Sequence, residues 1–150
     1  MAIKKIAVGA DHAGWKLKET LARFLKRRKV VVIDAGTHQD TARVDYPDYA
    51  KIVARAVAAG KADIGILCCG TGIGMSIAAN KIRRTRAAVV WNKKSAALAR
   101  EHNGANIVCF GARLMSERAA EESLDVFLKT TPSKESRHRQ RIAKIAKLEQ

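Results

Sequence analysis

Aromatic residues are scarce, at 5% of the 150-residue sequence. Few platforms therefore exist on which single-stranded bases could stack. No run approaches the roughly 18 apolar residues that a membrane span needs. The apolar run after Met1 turns polar at Asp11-His12, too soon for the core of a signal peptide. The expectation is a cytoplasmic protein, in a compartment that keeps thiols reduced. Cysteine is rare too, with 3 in all: Cys68, Cys69 and Cys109. An odd count with two adjacent members is a poor disulfide framework. No Cys-x-x-Cys and no paired His/Cys spacing marks a zinc site. The plain reading of such thiols is small buried hydrophobes. Cys69 departs from it because of the residues that follow.

Acidic residues are also few, 14 against 29 basic ones, for a formal charge of +15. A surface so basic attracts anions, either small metabolites or nucleic acid. The positive charge is spread over several segments, near 16–29, 81–94 and 129–147.

The apolar residues that are present, 47% of the chain, suffice for one core. They fall into alternating patterns, with short β-branched runs at 3–8, 30–33, 64–68, 87–91 and 107–110. Between them, Leu17, Leu21, Phe24 and Leu25 recur at helical spacing, and Pro47 stands at a helix start. A helix is expected over 76–81, after a glycine loop, and another through Ala96, Ala97 and Leu98. Ala120, Leu124, Phe127 and Leu128 mark a further helix, with Ser116 as its N-cap. This order predicts a single α/β domain over 1–150: a Rossmann-like, doubly wound, parallel five-stranded sheet with helices on both faces. Residues 134–148 read as a basic amphipathic helix that packs on its own domain or reaches a partner subunit.

Ligands of such sheets bind beyond the carboxyl ends of the strands. Four polar features are expected to converge there: Asp11-His12 after the first strand, Cys69–Gly74 after the third, Trp91-Asn92 with a helix ending in His102-Asn103, and Arg113 after the fifth. In Cys69-Gly70-Thr71-Gly72-Ile73-Gly74, the glycines let the backbone approach an anion closely. The loop is not Gly-x-Gly-x-x-Gly and lacks a Gly-Lys-Ser/Thr ending, which argues against a nucleotide. Cys69, at a strand–helix junction, is positioned to act as a thiolate nucleophile or general base. Loop N–H groups beside it suit an enolate-like oxygen, so proton abstraction next to a carbonyl fits. A cysteine hydrolase using His12 or His102 fits the same spacing. Asp11-His12 also reads as a solvated pair, and His102 as an ordinary helix-end cation. Arg137 and Arg141, four apart, share one side of a helix, as a phosphate clamp or a solvated face requires.

At this point the residues carry a resemblance. Gly-Ala-Asp-His-Ala-Gly at 9–14, Asp45-Tyr46-Pro47-Asp48-Tyr49-Ala50, the block from Gly65 to Lys81, Arg100-Glu101-His102-Asn103, Asn106 and Gly111-Ala112-Arg113 match in order. The chain resembles the type B ribose-5-phosphate isomerases, whose wider family includes galactose-6-phosphate isomerase subunits and enzymes of allose 6-phosphate. The resemblance spans nearly the whole chain. It implies an aldose–ketose isomerase of the pentose phosphate pathway that works through a cis-enediolate, without metal or other cofactor. Cys69 would be the base. Thr71 and the amides of Gly70, Gly72, Ile73 and Gly74 would hold the enediolate oxygens. His102 would open the sugar ring with Asp11 nearby, and Asn103 would bind a hydroxyl. His12, Arg113, Arg137 and Arg141 would surround the substrate, the arginines favouring its phosphate. The resemblance also implies a homodimer, or a tetramer of such dimers, with sites shared between subunits and the C-terminal helix as a dimer arm. Neither membrane nor specific nucleic acid is implied. A six-carbon sugar phosphate, or a non-catalytic sugar-phosphate-binding subunit, are the alternatives. One departure stands out: Arg84 lies near a position where the family usually has glycine, and a positive φ there would strain it.

Overall fold

Strands that are apolar on both sides need cover on both faces, and here they receive it. The computed structural model describes residues 3–39 and 42–149. Its elements run β1 (Lys5–Ala10), α1 (Trp15–Arg27), β2 (Val31–Asp34), α2 (Tyr46–Ala58), β3 (Ile64–Cys69), α3 (Ile73–Ala79), β4 (Ala87–Val89), α4 (Lys93–Asn103), β5 (Ile107–Gly111), α5 (Glu117–Lys129) and α6 (Ser136–Ala146). The strands form one parallel five-stranded sheet in the order β2-β1-β3-β5-β4. Side chains alternate across it. Ile6, Val8, Ile66, Cys68, Val108 and Phe110 face one apolar cluster with α1, α4 and α5. Ala7, Leu67, Cys69, Ile107 and Cys109 face the other, under α2 and α3. The expected doubly wound α/β architecture is thus present. Among the described residues, no helix is long and apolar enough to cross a membrane.

The strand order places the switch point between β1 and β3: from β1 the chain moves outward to β2, then returns past β1 to β3. The loops after β1 and β3 therefore part in opposite directions and leave a crevice. Glycines seal its floor. A Cβ on Gly14 would lie 2.3 Å from both the carbonyl carbon and oxygen of Cys68. Gly14→Ala accordingly should lower stability by about 3 kcal/mol, through overpacking against backbone that has nowhere to move. Urea unfolding measures this, and a loss below about 0.5 kcal/mol would show that the two loops can separate.

Several boundaries differ from expectation, three of them beside the crevice or its neighbouring loops. β1 runs on to Ala10, because Ala10 still pairs with Cys68. β4 stops at Val89, short of Trp91, which is exposed. α3 starts at Ile73 rather than at 76, inside the glycine loop, because Gly72 makes the turn at φ 79° and Gly74 is already helical. Ser116 caps α5, its Oγ accepting from Ala119 N–H. The C-terminal helix packs on its own domain, with Ile142 against Gly104 at the end of α4.

Candidate active site

Cys69 ends β3, and its side chain is 5% exposed. The Gly72 N–H donates to its Sγ at 3.0 Å. A sulfur engaged in this way has its lone pair, not its proton, in the hydrogen bond, as a base requires. The loop folds over it because Gly72 takes a left-handed turn that a side chain would resist. Ile73 N–H donates to Thr71 Oγ1 at 3.2 Å, which fixes that hydroxyl at the helix start.

Cys68 is different. It is fully buried in the opposite cluster, and burial, reinforced by neighbouring Cys69, pushes its thiol far above the ordinary range. Burial does the same to Cys109. Both stay protonated and inert. Cys68→Ala should therefore leave turnover within about a factor of two and cost about 1 kcal/mol of stability through a small cavity. A dead but folded variant would mean that the wrong thiol has been assigned.

Asp11 and His12 stand across the crevice, just past β1. Asp11 is buried, and its Oδ1 accepts from the N–H groups of Ala13 and Gly14, both at 2.9 Å. This turn starts α1. His12 Nδ1 accepts from Val44 N–H at 3.3 Å, so its neutral ring carries the proton on Nε2. Arg113 N–H donates to Gly70 O at 3.0 Å, and its guanidinium lies over Gly70, where a Cβ would be 3.1 Å from Nη1. Tyr46, at the start of α2, lies against Gly74, where a Cβ would be 2.6 Å from its ring. The loops after β1, β3 and β5 thus bring Asp11, His12, Cys69, Gly70, Thr71, Gly72, Ile73, Gly74 and Arg113 to the carboxyl end of the sheet.

The expected convergence fails for His102 and Asn103. They close α4, which runs back toward the amino ends of the strands, beside Gly104 and Ala105 and just before β5. Gly111, at the far end of β5, is the residue level with Cys69. At about 3.3 Å per residue, the strand alone separates the two groups by roughly 13 Å. Arg137 and Arg141 sit on exposed turns of α6, on the same side as His102, and Arg137 Nε donates to Glu135 Oε2 at 2.7 Å. The expected site residues of one chain therefore fall into two groups, one at each end of the strands.

Two further side chains lie beside these groups with no role assigned from the sequence. Tyr46 stood in a quoted block without a role. His138 lies in the basic 134–148 segment, yet it is buried, and its ring stacks on that of His102 at 4.3 Å. The available signal was spacing: 138, 142 and 145 lie on one helical face with Ile142 and Ile145.

A cation-sized cluster lies elsewhere. Glu19, Asp34 and His38 bring their ligand atoms within 4.8 Å of one another. The Lys18 ammonium fills that position, 2.7 Å from Asp34 Oδ2 and 2.8 Å from Glu19 Oε1. Its hydrogen bond, above all, holds the Glu19 carboxyl below the usual range.

The thiol under its glycine loop stands beside the switch point, where sheets of this kind bind small molecules. Comparison with known proteins identifies the family. The profile of the ribose/galactose isomerase family matches residues 6–145. The chain is 46% identical to ribose-5-phosphate isomerase B of Escherichia coli (strain K12), over 99% of this chain and 98% of that one. Among solved structures, ribose-5-phosphate isomerase B of Clostridium thermocellum aligns with TM-score 0.93 and 47% identity, over 97% of both chains. Type B ribose 5-phosphate isomerase of Trypanosoma brucei aligns with TM-score 0.93 and 46% identity, over 99% of both. The chain belongs to the ribose/galactose isomerase family.

Proposed function

We propose that this protein interconverts ribose 5-phosphate and ribulose 5-phosphate through a cis-enediolate, with Cys69 as the base. The observation that carries the reading is the Gly72 N–H donated to Cys69 Sγ inside the switch-point crevice. Full-length similarity to ribose-5-phosphate isomerases supports the substrate.

The chemistry follows from the open-chain sugar. Its C1 carbonyl makes the C2 hydrogen acidic. Sγ takes that proton, and negative charge moves onto the carbonyl oxygen. Donors already aimed at that oxygen cost no reorganisation when the charge develops. Thr71 Oγ1 and the loop amides of Gly70 and Gly74 serve this purpose, since those of Gly72 and Ile73 are engaged by Cys69 Sγ and Thr71 Oγ1. Sγ then returns the proton to C1, while a proton passes between the two oxygens, and the ketose results. His102 moves the proton that opens the furanose ring, with Asp11 beside the ring oxygen. Asn103 holds a hydroxyl. His12, Arg113, Arg137 and Arg141 surround the substrate, the arginines favouring its phosphate.

His102, Asn103, Arg137 and Arg141 lie at the wrong edge of the sheet to serve Cys69 of their own chain. The reading therefore includes a homodimer in which α6 and the end of α4 complete the partner's crevice. A cytoplasmic setting agrees with three thiols that are free in the structure.

The test is turnover of ribose 5-phosphate by the purified protein, with allose 6-phosphate and galactose 6-phosphate alongside. Preference for a six-carbon sugar would keep the mechanism and move the substrate. Folded, oligomeric protein that turns over none of them would leave a sugar-phosphate-binding subunit in its place.

A further inference from the structure

The mechanism above uses His102 and gives His138 no task. The two imidazoles nevertheless stack, with planes 12° apart and centroids 4.3 Å apart. His138 is the buried side chain of α6, a helix otherwise mostly exposed and basic. Burying an imidazole costs desolvation that a leucine in the same place would not. Around the stack stand Glu135, with Oε2 4.0 Å from His138 Nε2, then Arg137 and Arg141 on α6, and His102 itself from α4.

We infer that His138 is a positioning residue for His102: its ring fixes the plane of the His102 imidazole, and the stacked pair holds one proton at a time. The inference rests on the assignment of His102 to ring opening. A proton on one ring meets the π face of the other, which is favourable. A second proton would set two like charges face to face beside two arginines. Burial, with the charges of His102, Arg137 and Arg141 behind it, holds His138 below the ordinary histidine range, and Glu135 acts the other way. His138 is the more buried ring of the pair. Ring opening needs a group that gives a proton and takes one back. A pair restricted to one proton does so without ever becoming a doubly charged buried stack.

The test follows the imidazole Cε1–H resonances of both residues against pH by NMR, in the wild type, His138→Phe and His138→Gln. In the wild type, each resonance should carry the inflection of the other, as coupled sites do. In His138→Phe, the His102 resonance should collapse to one simple curve, and the acid limb of the kcat profile should move with it. His138→Gln, which removes the flat ring, should lose about tenfold in kcat with little change in KM. A merely structural role would lower thermal stability and leave the His102 curve unchanged. Identical His102 curves in the wild type and in either folded variant would overturn the inference, and the glutamine variant serves if the phenylalanine one does not fold. The titration needs no substrate, so absence of isomerase activity would sink the functional reading and still leave the coupling decided.

Discussion

Cys69→Ala should lower turnover of ribose 5-phosphate by at least about 10³-fold and leave the apparent KM nearly unchanged. In the proposed mechanism the sulfur handles a proton that is in flight only in the transition state. Removing it takes away stabilisation that the bound ground state never had. Three decades correspond to about 4 kcal/mol of barrier. The loop that holds the substrate is built from backbone: Gly72 keeps its turn, and Ala112 N–H still donates to the carbonyl of residue 69. Alanine leaves a small void beside Met75 and Ala79, so circular dichroism and a thermal melt belong with the kinetics. Equal losses of binding and turnover would assign Cys69 to substrate contact instead.

Mixing two inactive variants should restore activity. In the proposed mechanism Cys69→Ala lacks the base and His102→Ala the ring opener, and the two residues lie at opposite ends of the strands. In a C2 dimer that pairs each crevice with the partner's α4 end, a mixed dimer has one intact site and one doubly damaged site. Random exchange makes about half the dimers mixed, so about a quarter of wild-type activity should return. Each variant alone should stay near background. Verified exchange of differently tagged subunits without recovery would mean that one chain assembles its own site, by a rearrangement of about 13 Å that its sheet does not permit.

The alternation of β-branched runs with helical spacing made the sheet legible, and so did the Cys69–Gly74 loop, because three glycines after a buried strand have few other uses. The strand order was not legible, since periodicity says which segments are strands and not which ones are neighbours. The distant position of His102 was within reach. A helix that follows a parallel strand runs back along the sheet, so the last turn of α4 belongs at the amino edge however close its motif lies to the others in the chain. Tyr46 on Gly74 was out of reach, because the contact depends on how α2 is set against the loop after β3. His138 was hidden by its neighbours Arg137 and Arg139, whose charges masked the helical spacing to Ile142.

Arg84 adopts φ 68°, the conformation that its glycine-like position forecast. A residue with a Cβ is held there at a cost of about 1 kcal/mol. Asparagines impose it. Asn106 donates to Arg84 O at 2.9 Å and accepts from Arg86 N–H at 2.7 Å, while Asn80 bonds both the N–H and the carbonyl of Ala87. The turn is specified by its braces rather than by its own occupant. Such a position is open to substitution: it can exchange glycine for a long cation while the strand it feeds keeps its register. The turn therefore adds a positive charge to the surface while β4 keeps its pairing with β5.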